Sequence, residues 1–174
     1  MRKLKTLLIA MLVVPCVILL AACGGNGDQG GIPNGTYGIQ ELYFDGTKVN
    51  VPSLPSDDSQ IPAWFGSFYD AIIAAGADAT AAAAINNEVG ILYSGNARIK
   101  ISGDKMEFLL NMGLDASSGN ITYSVDEDGK LVYTQPSGVF ADFFTTGALY
   151  HEDGKIVYEF DVSGDKAVRL VFGK

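Results

Sequence analysis

The stretch KIVYEFDVSGDKAVRLVF, residues 155–172, decides the fold class. Ile156, Tyr158, Phe160 and Val162 alternate with Val157, Glu159 and Asp161, and Val168, Leu170 and Phe172 resume the alternation after Ser163-Gly164-Asp165. A period of two sends successive side chains to opposite faces of a strand. Glycine and aspartate between two such runs mark a tight hairpin, because both tolerate positive φ. One apolar and one mostly polar face per strand is the pattern of an antiparallel sheet wetted on one side.

The same grammar extends toward the N-terminus. Ala97, Ile99 and Ile101 alternate with Arg98 and Lys100, Met106, Phe108 and Leu110 with Lys105 and Glu107, and Ile121, Tyr123 and Val125 with Thr122 and Ser124. The turns repeat too: Glu127-Asp128-Gly129-Lys130 is matched by Glu152-Asp153-Gly154-Lys155, and Ser102-Gly103-Asp104-Lys105 by Ser163-Gly164-Asp165-Lys166. Unequal spacings argue for a meander of hairpins and against a solenoid. Before them, Thr36–Phe44 reads as a strand, with Tyr37, Ile39 and Tyr43 at alternate positions, turned by Asp45-Gly46 into a short strand over Thr47–Val51. Eight or so strands joined tightly predict a closed or nearly closed barrel, which removes exposed edges.

A helical segment, at about residues 61–89, interrupts this pattern. Trp64, Phe65, Phe68, Tyr69, Ile72 and Ile73 recur at helical spacing behind Pro62, Gly76 stops the run, and Asp78 caps a second, alanine-rich helix over Ala79–Glu88. The strands resume from Ile91.

Residues 1–22 are read separately. Arg2, Lys3 and Lys5 precede an uncharged, mostly apolar run from Leu7 to Leu20, short for a membrane span and broken by Pro15. It ends in Leu20-Ala21-Ala22-Cys23. This segment resembles a bacterial lipoprotein signal with its lipobox. The resemblance implies cleavage between Ala22 and Cys23, lipidation of Cys23 and a membrane anchor through it, with residues 24–31 (GGNGDQGG) as a flexible tether of roughly 15 Å reach. It implies an extracytoplasmic address in the cell envelope. Gly24, in place of aspartate, favours the outer membrane where the host has one.

The domain at residues 32–174 is similar to bacterial lipoproteins with a lipocalin-like β-barrel. The likeness rests on Gly35-Thr36-Tyr37 opening the first strand, Asp45-Gly46 after it, the helical insertion, and the closing Val168-Arg169-Leu170-Val171-Phe172. It implies that Tyr37 takes the aromatic position of the first strand. Arg169 is then the basic residue packed over it, although strict alternation sets Arg169 on the outer face.

Charge and cysteine content narrow the function. The chain holds 12 Lys/Arg and 20 Asp/Glu; without residues 1–22, nine basic residues remain against 20 acidic ones, a net charge of −11. That excess disfavours nucleic acid as a partner. Cys16 leaves with the leader and Cys23 is acylated, so the domain is expected to fold without a disulfide. His151 is the one histidine, beside a predicted turn, and reads as an exposed turn residue. A His/Cys zinc site and a phosphate-cradling loop are both missing from the sequence. With Gly129 as the sixth residue of a calcium loop, Ser124 and Gln135 would occupy its first and twelfth positions, so the acidic run Asp126–Asp128 reads as a solvated turn. No carboxylate pair stands out. The expectation is a non-enzymatic protein without cofactors. Trp64, Phe65, Phe68 and Tyr69 are the candidate ligand-binding residues, with Phe140, Phe143 and Phe144 as a second aromatic group, for a small apolar ligand at the barrel mouth. The competing expectations are helix packing by these same rings, and a structural or protein-interaction role in the envelope.

Overall fold

The computed structural model describes residues 31–111, 113–134, 140–162 and 166–174. The expected leader, Cys23 and tether residues 24–30 lie outside them, as do Gly138 and the turn at 163–165.

The chain forms a nearly closed antiparallel barrel with helices over one mouth. Its strands are β1 (Gly35–Phe44), β2 (Thr47–Lys48), β3 (Arg98–Ser102), β4 (Lys105–Asn111), β5 (Asp115–Ser117), β6 (Ile121–Val125), β7 (Leu131–Tyr133), β8 (Ala148–Glu152), β9 (Lys155–Val162) and β10 (Lys166–Gly173). Helices α1 (Ile61–Ala74) and α2 (Ala79–Ser94) lie between β2 and β3, and α3 (Ala141–Thr146) between β7 and β8. Around the barrel the order is β7-β6-β4-β3-β1-β10-β9-β8, with β2 and β5 as short side pairings. The two ends of this path meet where Lys130 bridges Tyr150 and the His151 backbone N–H donates to Gly129 O at 2.7 Å.

Closure depends on two turns of nearly the same sequence that fold differently. Glu152 pairs directly with Lys155, and Asp153 and Gly154 both take positive φ (49° and 76°), the two-residue turn whose twist suits a hairpin. At the sister turn the Asp126 carboxylate accepts the backbone N–H groups of Asp128 and Lys130, making a wider loop. This loop presents Gly129 to β8. The acidic run is thus a side-chain-stapled turn.

Inward-facing positions from every long strand share one core. Tyr37, Ile99, Met106, Phe108, Leu149, Ile156, Val168, Leu170 and Phe172 are all fully buried. The described core runs continuously from Ile32 to Phe172, so the barrel carries what a domain needs to fold independently. Phe108 sits at its centre, with the rings of Phe143, Phe140, Phe144 and Phe172 at 4.4, 5.2, 5.9 and 6.4 Å. Among the described residues, side chains pack the lumen around Phe108.

Four expectations need correction. First, β1 does not keep one alternation: its register against β10 shifts between Ile39 and Glu41. Such a bulge reverses the facing of later residues, so Leu42 and Phe44 point inward, while Tyr43 donates to the Glu41 carboxylate at 3.1 Å. Second, α2 continues to Ser94 where strands were expected from Ile91. Ile85, Val89 and Leu92 extend its buried stripe, and the helix stops only where Gly95 is followed by Asn96 at positive φ (47°). Third, His151 belongs to β8 and is half-buried, paired with the buried Ile156, because alternation from Leu149 turns it inward. Fourth, Arg169 remains outside, ion-paired with Glu152 and Glu159, and Lys174 lies over Tyr37 instead.

Candidate functional site

Helix α1 begins with Pro62 in its first turn, where the missing N–H costs nothing. Its apolar face then packs downward. Trp64 stacks on Phe68 at 5.0 Å and 12°, with Phe65 edge-on at 5.2 Å, and the indole N–H donates to Pro52 O at 2.9 Å. Trp64 and Phe68 are buried, while Phe65 and Tyr69 are half-buried. Tyr93 from α2 closes on Phe68 at 5.7 Å, and burial, then Glu41, push its hydroxyl pKa up. Gly90 makes this crossing possible: a Cβ there would meet the Phe65 ring at 2.5 Å. Trp64, Phe65 and Phe68 are therefore brought together with Tyr93, Tyr69 packs against the same core, and these rings hold α1 against α2 and the barrel.

An apolar hollow lies one helix further on. Between α2, α3 and the inner wall of β9 is a cleft of about 340 Å³, walled by Val89, Leu92, Phe143, Tyr158 and Phe160, with Glu88 on its rim. Phe143 stacks on Tyr158 at 4.0 Å and 26°, and Phe160 follows at 5.3 Å. The Tyr158 hydroxyl donates to Phe143 O at 2.9 Å, tying α3 to β9. Burial, together with the Glu88 carboxylate nearby, pushes the Tyr158 pKa up. Glu88 is open to solvent on one side, yet the apolar surface beside it dehydrates its carboxyl enough to raise its pKa.

Trp64, Phe65, Phe68 and Tyr69 do not line this cleft, whereas Phe143 does. Val89 and Leu92 lie at or beyond the expected end of α2 near Glu88; the spacing Ile85, Val89, Leu92 is the sequence signal for its further turn. Tyr158 and Phe160 were legible as inward-facing but not as walls of a cleft. Larger hollows, of about 400, 540 and 420 Å³, run along the 48–54 loop, beside Asn96 and Asn111, and beside Tyr133 and Phe144, whose rings meet edge-on, without a comparable set of stacked rings. Among the described residues no group of three or more His, Cys, Asp and Glu is arranged to hold a metal ion, and no helix is long and apolar enough to cross a membrane. Compared with known proteins, the chain matches no family model, no curated protein and no solved structure.

Proposed function

We propose that this chain is a non-enzymatic extracytoplasmic lipoprotein, tethered through Cys23, that holds a small apolar molecule at the mouth of its barrel. The observation that carries the ligand reading is the aromatic-walled cleft of about 340 Å³, within the size range of small-molecule sites. It takes the place of the α1 aromatics as the binding surface, and the side chains packed around Phe108 keep the ligand at the mouth.

The path of the chain supports the tethered arrangement. Ile32 is buried, the Tyr37 hydroxyl donates to Pro33 O at 2.6 Å, and Asn34 Oδ1 accepts the Gly103 N–H at 2.7 Å. Residues 32–34 thus enter at the end where β1 begins. Phe160 pairs with Val168, which pairs with Phe44 at the other end of β1. A tether before residue 32 would join the barrel at the end opposite the cleft.

Two experiments test the two halves. Metabolic labelling with an alkynyl fatty acid should mark the wild-type chain in the membrane fraction and leave Cys23→Ala unlabelled; label retained by the variant overturns the anchor. Native mass spectrometry of the protein isolated from its host should retain an apolar ligand, lost when Leu92→Trp fills the cleft. A bare protein that also ignores apolar probes points to the second reading, a structural or protein-interaction lipoprotein, which the packed lumen around Phe108 favours.

A further inference from the structure

The rim of the cleft carries one sign of charge. Glu88 lies at its edge, and among the described residues no Lys or Arg is ion-paired with it or lines the cleft. The Tyr158 hydroxyl is engaged with Phe143 O, so its proton is not offered to a ligand. The rings of Phe143 and Tyr158, stacked on each other at 4.0 Å, wall the same cleft. A carboxylate beside an apolar wall attracts a cation and repels an anion.

Resting on the ligand-binding reading above, we infer that the cleft takes a cationic amphiphile: an apolar chain or ring bearing an ammonium group. The apolar part lies against Val89, Leu92 and Phe160, and the ammonium pairs with the Glu88 carboxylate at the rim. A fatty-acid carboxylate placed there would lose water and meet Glu88 without a counter-ion. The partial dehydration of the Glu88 carboxyl fits the same geometry, since a bound ammonium would replace the lost water.

The test uses the processed chain, residues 23–174 with Cys23→Ser, which retains the whole described core. Octylamine, octyltrimethylammonium, octanol and octanoate are titrated below their micelle concentrations, with intrinsic fluorescence and calorimetry as readouts. Both ammonium probes should bind at least about tenfold more tightly than octanol, a gain of about 1.4 kcal/mol, and octanoate more weakly than octanol. Glu88→Gln should erase the ammonium preference over octanol; a urea curve checks its fold. Octanol binding with no ammonium preference, or a preference that survives Glu88→Gln, overturns the cationic assignment and leaves the apolar site standing. Failure of all four probes, with no change in Leu92→Trp, overturns both.

Discussion

The ammonium of Lys174 sits 5.3 Å from the centre of the Tyr37 ring and donates to Asn34 O at 2.8 Å. This clamp joins the strand that opens the barrel to the one that closes it, over a ring that is fully buried. Gly35 leaves room for the lysine stem: a Cβ there would meet Lys174 Cε at 2.7 Å. The basic partner of the first-strand aromatic is thus Lys174, while Arg169 serves the outer face.

The two basic residues should separate in a stability measurement. Lys174→Met keeps the stem and removes the charge, and should cost about 0.5–1 kcal/mol in urea unfolding with little salt dependence, because the cation lies against a buried ring. Arg169→Met breaks exposed ion pairs with Glu152 and Glu159. Its cost should be at most about 1 kcal/mol and shrink further in high salt. A salt-insensitive loss at Arg169 would reverse the assignment.

Phe108 is the ring through which the barrel floor, α3 and β10 meet. Phe108→Ala should cost about 3–5 kcal/mol, the range for removing a buried aromatic side chain. Phe65→Ala removes a half-buried ring and should cost clearly less. Chemical denaturation of both variants decides whether the lumen or the α1 face dominates the core.

Gly147 lies where α3 turns into β8. A Cβ there would run into the Tyr158 ring and lie 2.6 Å from Glu159 O. Backbone cannot yield as a flexible side chain does, so Gly147→Ala should destabilise by about 1–3 kcal/mol. It should also shift Tyr158 and weaken ligand retention in the cleft. Gly154→Asn, at a φ of 76° with open space around it, should be tolerated far better. Thermal unfolding of the pair checks the contrast.

Alkaline pH should unfold the barrel through its buried tyrosines. Tyr93 and Tyr158 have folded pKa values raised above the ordinary 10.0, chiefly by burial. The folded state therefore holds protons that the unfolded chain releases above pH 10, and stability falls as pH rises beyond that point. Below it the contribution is fully present. Phenolate absorbance should show exposed tyrosines ionising first and these two only together with loss of the fold. Smooth titration of all tyrosines with the fold intact would contradict the burial argument.

How far the sequence could be read followed the range of the interactions. Alternation is written in adjacent residues, so Ile99-Ile101, Met106-Phe108 and Val168-Leu170-Phe172 announced their inward faces, and Asp45-Gly46 and Asp153-Gly154 announced their turns. The Asp78 cap was local as well: its carboxylate accepts the Ala81 N–H at 2.8 Å. Helical periodicity likewise marked Trp64 and Phe68 as a packing face. It did not separate a face that grips its own core from one that grips a ligand, since both need the same apolar rings.

By itself, then, the sequence determined a mainly antiparallel β-chain with a helical insertion, because strand alternation, turn chemistry and helix caps act within a few residues. Only the tertiary structure decided where the bulge after Ile39 reverses β1, that Lys130 and Tyr150 close the barrel, that Lys174 covers Tyr37, and that Val89, Leu92, Phe143, Tyr158 and Phe160 share one cleft. Each of these depends on residues far apart in the chain meeting in one register. Neither partner carries a local mark of the other, so the folded core alone selects the pairing.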